Sequence, residues 1–143
     1  MAGRFWQGIT EMDGKTEILF VDDDPDLLEI GKEFLEREFS CQVTTAESAA
    51  EALGLLSSHR IDAIVSDYDM KEMSGIGLLK HLRDSGNPVP FIIFTGKGRE
   101  EIVVEALNNG ADFYLQKGGD VVSQFAELAN KIRYAIARKE AER

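Results

Sequence analysis

A chain of 143 residues, of which 43% are hydrophobic and 29% charged, has the length and composition of one globular domain. Its 26 acidic and 16 basic residues give a net charge of −10 at pH 7, without any cluster of Lys and Arg, which excludes the usual basis of nucleic-acid binding. The lone cysteine, Cys41, excludes an internal disulfide, and no apolar run is long enough to cross a membrane, so we expect a cytoplasmic protein.

The chain then divides into a leader followed by alternating strand-like and helix-like segments. Residues 1–14 lack an apolar core and predict a flexible leader before a domain that spans residues 15–137. Short runs rich in β-branched and aromatic residues indicate buried strands. The predicted strands are Glu17–Val21, Gln42–Thr45, Ala63–Ser66, Phe91–Phe94 and Asp112–Gln116. The predicted helices are Pro25–Phe39, Ser48–Ser57, Gly75–Arg83, Arg99–Asn109 and one that begins near Asp120.

Capping residues mark several of these helix boundaries. Asp24 suits the N-cap position before Pro25, and Ser48 with Glu51 three residues later has the pattern of a capping box. Gly110 suits the position just beyond the end of the fourth helix. Five strands that alternate with five helices predict an α/β fold, a three-layer doubly wound sandwich around a parallel sheet.

The fifth helix is predicted to carry one apolar stripe and then to continue past it. The residues of the stripe recur at three- and four-residue spacing: Val122, Phe125, Ala129, Ile132 and Ile136. Residues 138–143 contain no Gly or Pro and consist of good helix formers. We expect a helical extension beyond Ala137 that leads toward a further module; a frayed and solvated terminus is the alternative.

Polar side chains follow four of the predicted strands at the point where each strand ends. Asp22 and Asp23 follow the first strand, Asp67 the third, Thr95 the fourth and Lys117 the fifth. In open parallel sheets, ligands bind beyond the carboxyl ends of the strands, so these side chains are expected to converge. Clustered carboxylates repel one another unless they protonate, move apart or bind a cation, and hard oxygen ligands suit Mg²⁺.

The same arrangement suits phosphoryl chemistry. A carboxylate beside a divalent cation can act as a nucleophile toward phosphorus, and Lys117 and Thr95 would supply a positive charge and a hydroxyl for the phosphoryl oxygens. The alternative is that the acidic residues are helix caps and turn residues. That interpretation suits Asp24 but not Asp22, Asp23 and Asp67 together.

These residues and their order resemble the receiver domain of two-component response regulators, over about Lys15 to Ala137. The motifs are the pair Asp22-Asp23, the run Ile64-Val65-Ser66-Asp67, Thr95 before Gly96, and Lys117 after Gly110-Ala111-Asp112-Phe113-Tyr114. The resemblance implies a flavodoxin-like fold with strand order 2-1-3-4-5.

The resemblance also assigns roles to these residues. It implies that Asp67 is the phosphoacceptor. It also implies that Asp23 and Asp67 bind Mg²⁺ directly, that Asp22 acts mainly through water, and that Asp69 contributes its backbone carbonyl. Thr95 and Lys117 would contact the phosphoryl oxygens. Three further residues have regulatory positions by the same resemblance: Tyr114 would be an aromatic switch together with Thr95, and Asp69 and Lys97 would tune the reaction rates. For Tyr114, a strand-end residue with a solvated hydroxyl is the alternative.

The resemblance implies a function in signalling rather than turnover of a metabolite. A sensor histidine kinase or a phosphotransfer protein would donate the phosphoryl group, and the chain would catalyse only its own phosphorylation and dephosphorylation. The fourth helix, the fifth strand and the fifth helix would form the surface that contacts an output module or protein, with a weak homodimer possible. No nucleic acid or membrane is expected as a partner of this chain.

Two segments depart from the pattern of the family. Gly118-Gly119 follows Lys117, where the family usually has proline. In the loop after Asp67 the family usually has a proline three residues on and an Asp-Gly pair beyond. This chain has Met70-Lys71-Glu72-Met73-Ser74-Gly75 there, although Ser74 can still cap the third helix. We expect the loop to differ in rigidity rather than in function.

Three other functions are compatible with parts of the sequence. Asp67-Tyr68-Asp69 has the DxD form of haloacid dehalogenase-type phosphatases, but Lys71 stands where that family needs threonine or valine. A flavodoxin shares the layout, yet Asp22, Asp23 and Asp24 would repel the phosphate of FMN. A receiver-like interaction module that is never phosphorylated is the third alternative.

Overall fold

Five strands form a single parallel sheet in the order β2-β1-β3-β4-β5. A computed structural model describes residues 15–96 and 98–142. The strands are β1 (Thr16–Val21), β2 (Cys41–Ala46), β3 (Ala63–Ser66), β4 (Phe91–Thr95) and β5 (Phe113–Gln116). The predicted fold and strand order are therefore confirmed. The predicted leader, residues 1–14, lies outside the described residues, as do Lys97 and Arg143.

Five helices connect and cover the strands. They are α1 (Pro25–Glu38), α2 (Ala49–Leu56), α3 (Gly75–Asp84), α4 (Glu100–Asn108) and α5 (Val121–Ala141). The predicted boundaries differ from these by no more than one residue. The capping pattern explains this agreement: Asp24 accepts hydrogen bonds from the backbone N–H groups of Asp26 and Leu27, and Ser48 accepts one from Glu51. Gly110 ends α4 with a φ of 97°.

The core has two halves, one on each face of the sheet. Successive residues of β1 point to opposite faces, so Leu19 and Val21 pack with α2, α3 and α4, while Ile18 and Phe20 pack with α1 and α5. The central strands β1, β3 and β4 are buried almost completely, which is why they appear in the sequence as continuous apolar runs.

The predicted apolar stripe of α5 is wrong at its first residue. Val122 is 61% exposed, because the first turn of α5 does not pack against the sheet, and Leu128, which was not predicted, is fully buried. The helix continues to Ala141, and its last turns are not independent of the domain, since Arg138 Nη2 lies 3.0 Å from Asp112 Oδ1. The domain boundary predicted at Ala137 stays a prediction. No described helix combines the length and the apolar character that a membrane span requires.

Candidate functional site

Three carboxylates meet at the carboxyl end of the sheet. The pairing of Val21 with Ser66 brings β1 and β3 side by side, so the residues that follow them, Asp22 and Asp67, are neighbours. One carboxylate oxygen from each of Asp22, Asp23 and Asp67 lies within 4.8 Å of the others. Asp22 and Asp67 are buried and Asp23 is exposed. This set of hard oxygen ligands, open to solvent on one side, fits a divalent cation.

Asp22 is held by two hydrogen bonds that orient its carboxylate. Oδ1 accepts a bond of 3.0 Å from the N–H of Asp24, and Oδ2 accepts one of 2.7 Å from Lys117 Nζ. Burial raises the pKa of the Asp22 carboxyl above its ordinary value, whereas the hydrogen bond and the charge of Lys117 lower it. A metal-free site thus depends on the lysine to neutralise a buried acid.

Lys117 connects the two buried carboxylates. Its Nζ lies 2.7 Å from Asp22 and 3.6 Å from Asp67 Oδ1, and its backbone N–H donates to the carbonyl of Thr95 at 2.8 Å. Asp67 Oδ1 also accepts a hydrogen bond of 2.9 Å from the N–H of Tyr68. These contacts fix Oδ1 and leave Oδ2 of Asp67 without a hydrogen bond to any of the described residues.

The remaining predicted site residues lie around this centre. Thr95 ends β4 and is buried, and Asp69, two residues after Asp67, is exposed. Lys97, the second predicted rate-tuning residue, falls outside the described part of the chain. The structure thus brings together Asp22, Asp23, Asp67 and Lys117, as the sequence predicted, with Thr95 on the neighbouring strand.

The Tyr114 hydroxyl is buried and has no hydrogen-bond partner among the described residues. Burial raises the pKa of the phenol, and the charge of Asp67 raises it further. The alternative interpretation of Tyr114, with a solvated hydroxyl, does not fit this position.

Gly75 supports the site and was not recognised in the sequence. A Cβ atom at this position would lie 2.1 Å from the carbonyl oxygen of Asp67, and the N–H of Gly75 donates to the carbonyl of Tyr68 at 2.9 Å. The first residue of α3 therefore packs directly on the backbone of the central aspartate. No local signal reveals this contact, because it depends on how the loop closes.

The loop between Asp67 and Gly75 contains a strained turn. The N–H of Met73 donates to the carbonyl of Lys71 at 2.7 Å, and Glu72 between them has a φ of 68°. A hydrogen bond between residues two apart with positive φ at the centre is the rarer form of γ-turn. Ser74 caps α3 as predicted, by accepting a hydrogen bond from the N–H of Gly77.

The turn after Lys117 is built from two glycines with positive φ. Gly118 has a φ of 139° and Gly119 a φ of 78°, and there is no cis peptide bond among the described residues. Proline has a φ near −65° and cannot adopt either conformation. The departure from the family pattern at Gly118 is therefore a different backbone path. The amide of Gln124 bridges this turn by donating to the carbonyls of Gln116 and Gly118.

Residues 18–132 match the family model of the response regulator receiver domain. The chain belongs to this family. The receiver domain is 41% identical over 102 residues to the response regulator SaeR of Staphylococcus epidermidis, a match that covers 71% of the chain and 44% of that relative. The predicted place in two-component signal transduction is thereby confirmed. The chain spans less than half the length of this curated relative.

Solved receiver domains share its fold. The receiver domain of the Francisella response regulator 1452 superposes with a TM-score of 0.78 at 31% identity, over 87% of this chain and 98% of the other. A CheY-like receiver domain protein from Methanospirillum hungatei JF-1 gives 0.81 at 29% identity, over 91% and 100%. These similarities do not favour the haloacid dehalogenase-type phosphatase or the flavodoxin.

Proposed function

We propose that this receiver domain accepts a phosphoryl group on the Asp67 carboxylate and uses it to change a binding surface. One observation supports the proposal above the others. The Asp67 side chain lies within reach of both a carboxylate cluster and a lysine, with Lys117 Nζ 3.6 Å from its Oδ1. The cluster would favour a cation beside the acceptor, and the lysine would stabilise negative charge on an incoming phosphoryl group.

In the proposed reaction, Asp67 Oδ2 attacks the phosphorus of a phosphohistidine on a sensor kinase or phosphotransfer protein. A P–O bond to Asp67 forms while the P–N bond breaks, and the imidazole nitrogen leaves with the electron pair of that bond. Oδ2 suits this role because Oδ1 is already occupied by the N–H of Tyr68. Lys117 and Thr95 would contact the phosphoryl oxygens. The step involves no change of oxidation state.

Asp22, Asp23 and Asp67 would hold Mg²⁺, together with the backbone carbonyl of Asp69. When bound, the ion supplies positive charge that offsets the repulsion between the carboxylates and the phosphoryl group. The neighbouring residues prepare this site: the N–H of Asp24 orients Asp22, and Gly75 fixes the backbone of Asp67.

The switch would operate through Thr95 and Tyr114. Movement of the Thr95 hydroxyl toward the phosphoryl group would change the space that the buried Tyr114 hydroxyl occupies, and the population of the two arrangements would shift. The affected surface would be that of α4, β5 and α5, which carries exposed apolar residues at Val104, Leu107 and Tyr134. An output module or protein is the proposed partner of this surface, and the same surface would form the proposed weak homodimer.

Mass spectrometry after incubation with a small phosphodonor and Mg²⁺ tests the proposal. We expect one phosphoryl mass on the wild-type chain and none on Asp67→Asn, because the amide is not a nucleophile. Asp69→Asn is the matched control, since it removes a neighbouring carboxylate of the same loop and should retain the added mass.

Two results would contradict the proposal. A phosphoryl mass on Asp67→Asn would place the acceptor elsewhere. The absence of any added mass on the wild-type chain, even with a histidine-phosphorylated donor protein, would favour the interaction module that is never phosphorylated.

A further inference from the structure

The backbone on either side of Lys117 is restrained unequally. On the side that precedes it, β5 pairs with β4, and the N–H of Lys117 itself donates to the carbonyl of Thr95. On the side that follows, Gly118 and Gly119 have positive φ and no atom within 4 Å of the position that a Cβ would occupy. Two such glycines leave the exit from the strand free to adopt many conformations.

The side chain of Gln124 compensates for this freedom. Its Nε2 donates to the carbonyl of Gln116 at 3.0 Å and to that of Gly118 at 2.8 Å. These two carbonyls belong to the residues immediately before and after Lys117. Both acceptors are oxygens, so only the NH₂ group of the amide can make the two bonds, which fixes the orientation of the side chain. The next residue of the helix, Phe125, is buried in the core and anchors this turn of α5.

The position of the lysine backbone matters because it sets the point from which the side chain reaches the two buried carboxylates. The Lys117 Nζ lies 2.7 Å from Asp22 and 3.6 Å from Asp67, and a shift of the Lys117 backbone would strain both contacts. Misplacement of a reacting group by about 1 Å can cost on the order of 100-fold in rate. We propose that Gln124 is a positioning residue for Lys117, and that it supplies the rigidity that the Gly118-Gly119 turn lacks. This role in phosphorylation rests on the proposed function.

A double-mutant cycle distinguishes positioning through Lys117 from a general effect on the fold. Gln124→Glu keeps the size of the side chain but replaces the donor with an oxygen that repels both carbonyls. We expect it to slow phosphorylation by a small phosphodonor roughly 10-fold. In a Lys117→Ala background the same substitution should have no further effect, because the group that it positions is absent.

Matched variants complete the design. Gln124→Arg retains N–H donors and should restore most of the rate. Gln42→Glu makes the same chemical change at an exposed position on β2, at the other edge of the sheet, and should leave the rate unchanged. Thermal melting of each variant shows whether the fold is retained.

Nuclear magnetic resonance of the unphosphorylated chain provides a readout that does not depend on phosphoryl transfer. In Gln124→Glu we expect lower order parameters at the amides of Gly118 and Gly119 and a weakened Lys117–Asp22 contact. Equal slowing of phosphorylation by Gln124→Glu with and without Lys117 would overturn the inference. An unchanged rate of phosphorylation, or an unchanged Lys117–Asp22 contact in the resonance spectra, would do the same. Failure of the wild-type chain to accept a phosphoryl group would contradict the proposed function alone. The effect of Gln124→Glu on the Lys117–Asp22 contact would then test the positioning role by itself.

Discussion

At the scale of single residues, the site depends on how closely atoms approach one another. Gly75 is the strongest example, because its α-carbon faces the carbonyl oxygen of Asp67 at a distance that excludes any side chain. Gly54 provides a contrast among the described glycines. Gly54 lies within α2 and has no atom within 4 Å of the position of a Cβ.

Gly75→Ala should therefore destabilise the domain. The added methyl group would lie 2.1 Å from a backbone oxygen, which must move, and such overpacking typically costs about 1–3 kcal/mol. Urea unfolding measures the loss. Gly54→Ala is the control and should stabilise the domain by about 0.5–1 kcal/mol, since alanine is the better helix former and meets no neighbour. Equal changes in the free energy of unfolding for the two substitutions would show that the contact with Asp67 does not restrict residue 75.

The sequence predicted the residues with distinctive chemistry and missed those that act by shape or by a bond across the fold. Asp22, Asp67 and Lys117 could be found because each follows a buried strand, and parallel strands bring their carboxyl ends together. Gly75 and Gln124 give no such signal, since one matters through a steric contact and the other through two backbone carbonyls eight and six residues before it.

At the scale of elements, α5 shows why periodicity alone does not predict which residues of a helix are buried. The spacing of Val122 fits the apolar stripe, yet Val121 and Val122 in the first turn of α5 are 52% and 61% exposed. Leu128 lies outside the predicted stripe, because its neighbour Ala129 already satisfies the helical period. The position of a helix along the sheet, which the sequence does not encode locally, decides which residues of a stripe are buried.

The last turns of α5 are attached to the start of β5 by Arg138. Its guanidinium bonds to Asp112 at 3.0 Å and lies over the rings of Phe113 and Tyr134 at 5.7 and 5.9 Å. Arg138→Ala should reduce the free energy of unfolding by about 0.5–1.5 kcal/mol, because an ion pair and a cation–π contact are lost together.

Hydrogen exchange gives the sharper test of this contact. In Arg138→Ala, the amides of residues 139–142 should exchange faster, while those of the first turns of α5 remain unchanged. Arg37→Ala is the control: its ion pair with Glu33 spans 3.9 Å and both side chains are more than 70% exposed, so little change is expected. Uniform exchange along α5 in both variants would contradict the anchoring role.

At the scale of the whole molecule, the chain has a net charge of −10, and three of its carboxylates meet at the carboxyl end of the sheet. Two carboxylates about 4 Å apart repel by roughly 4 kcal/mol at an effective dielectric constant near 20. Lys117 neutralises part of this charge by contacting two of the three carboxylates, those of Asp22 and Asp67. A cation that binds only the folded state would therefore stabilise the entire domain.

Millimolar Mg²⁺ should raise the melting temperature by a few degrees. Binding at ten times the dissociation constant adds about 1.4 kcal/mol, which corresponds to roughly 3–6 °C for a domain of this size. Differential scanning calorimetry at matched ionic strength separates specific binding from screening. Asp23→Asn should abolish the shift, because the exposed carboxylate is removed while the buried pair with Lys117 is kept. An equal shift in this variant would exclude Asp23 as a ligand.

The long helix α5 is attached to the rest of the domain near both of its ends. Gln124 holds one end of the helix against the turn after Lys117. Arg138 holds the other end against Asp112, at the opposite end of the strands. Fourteen residues separate the two attachments, a span of about 21 Å. A tilt of about 5° around the first attachment would displace the second by about 2 Å over this span, which is enough to break a hydrogen bond of 3.0 Å. Loss of the Arg138–Asp112 bond would therefore report such a tilt of α5.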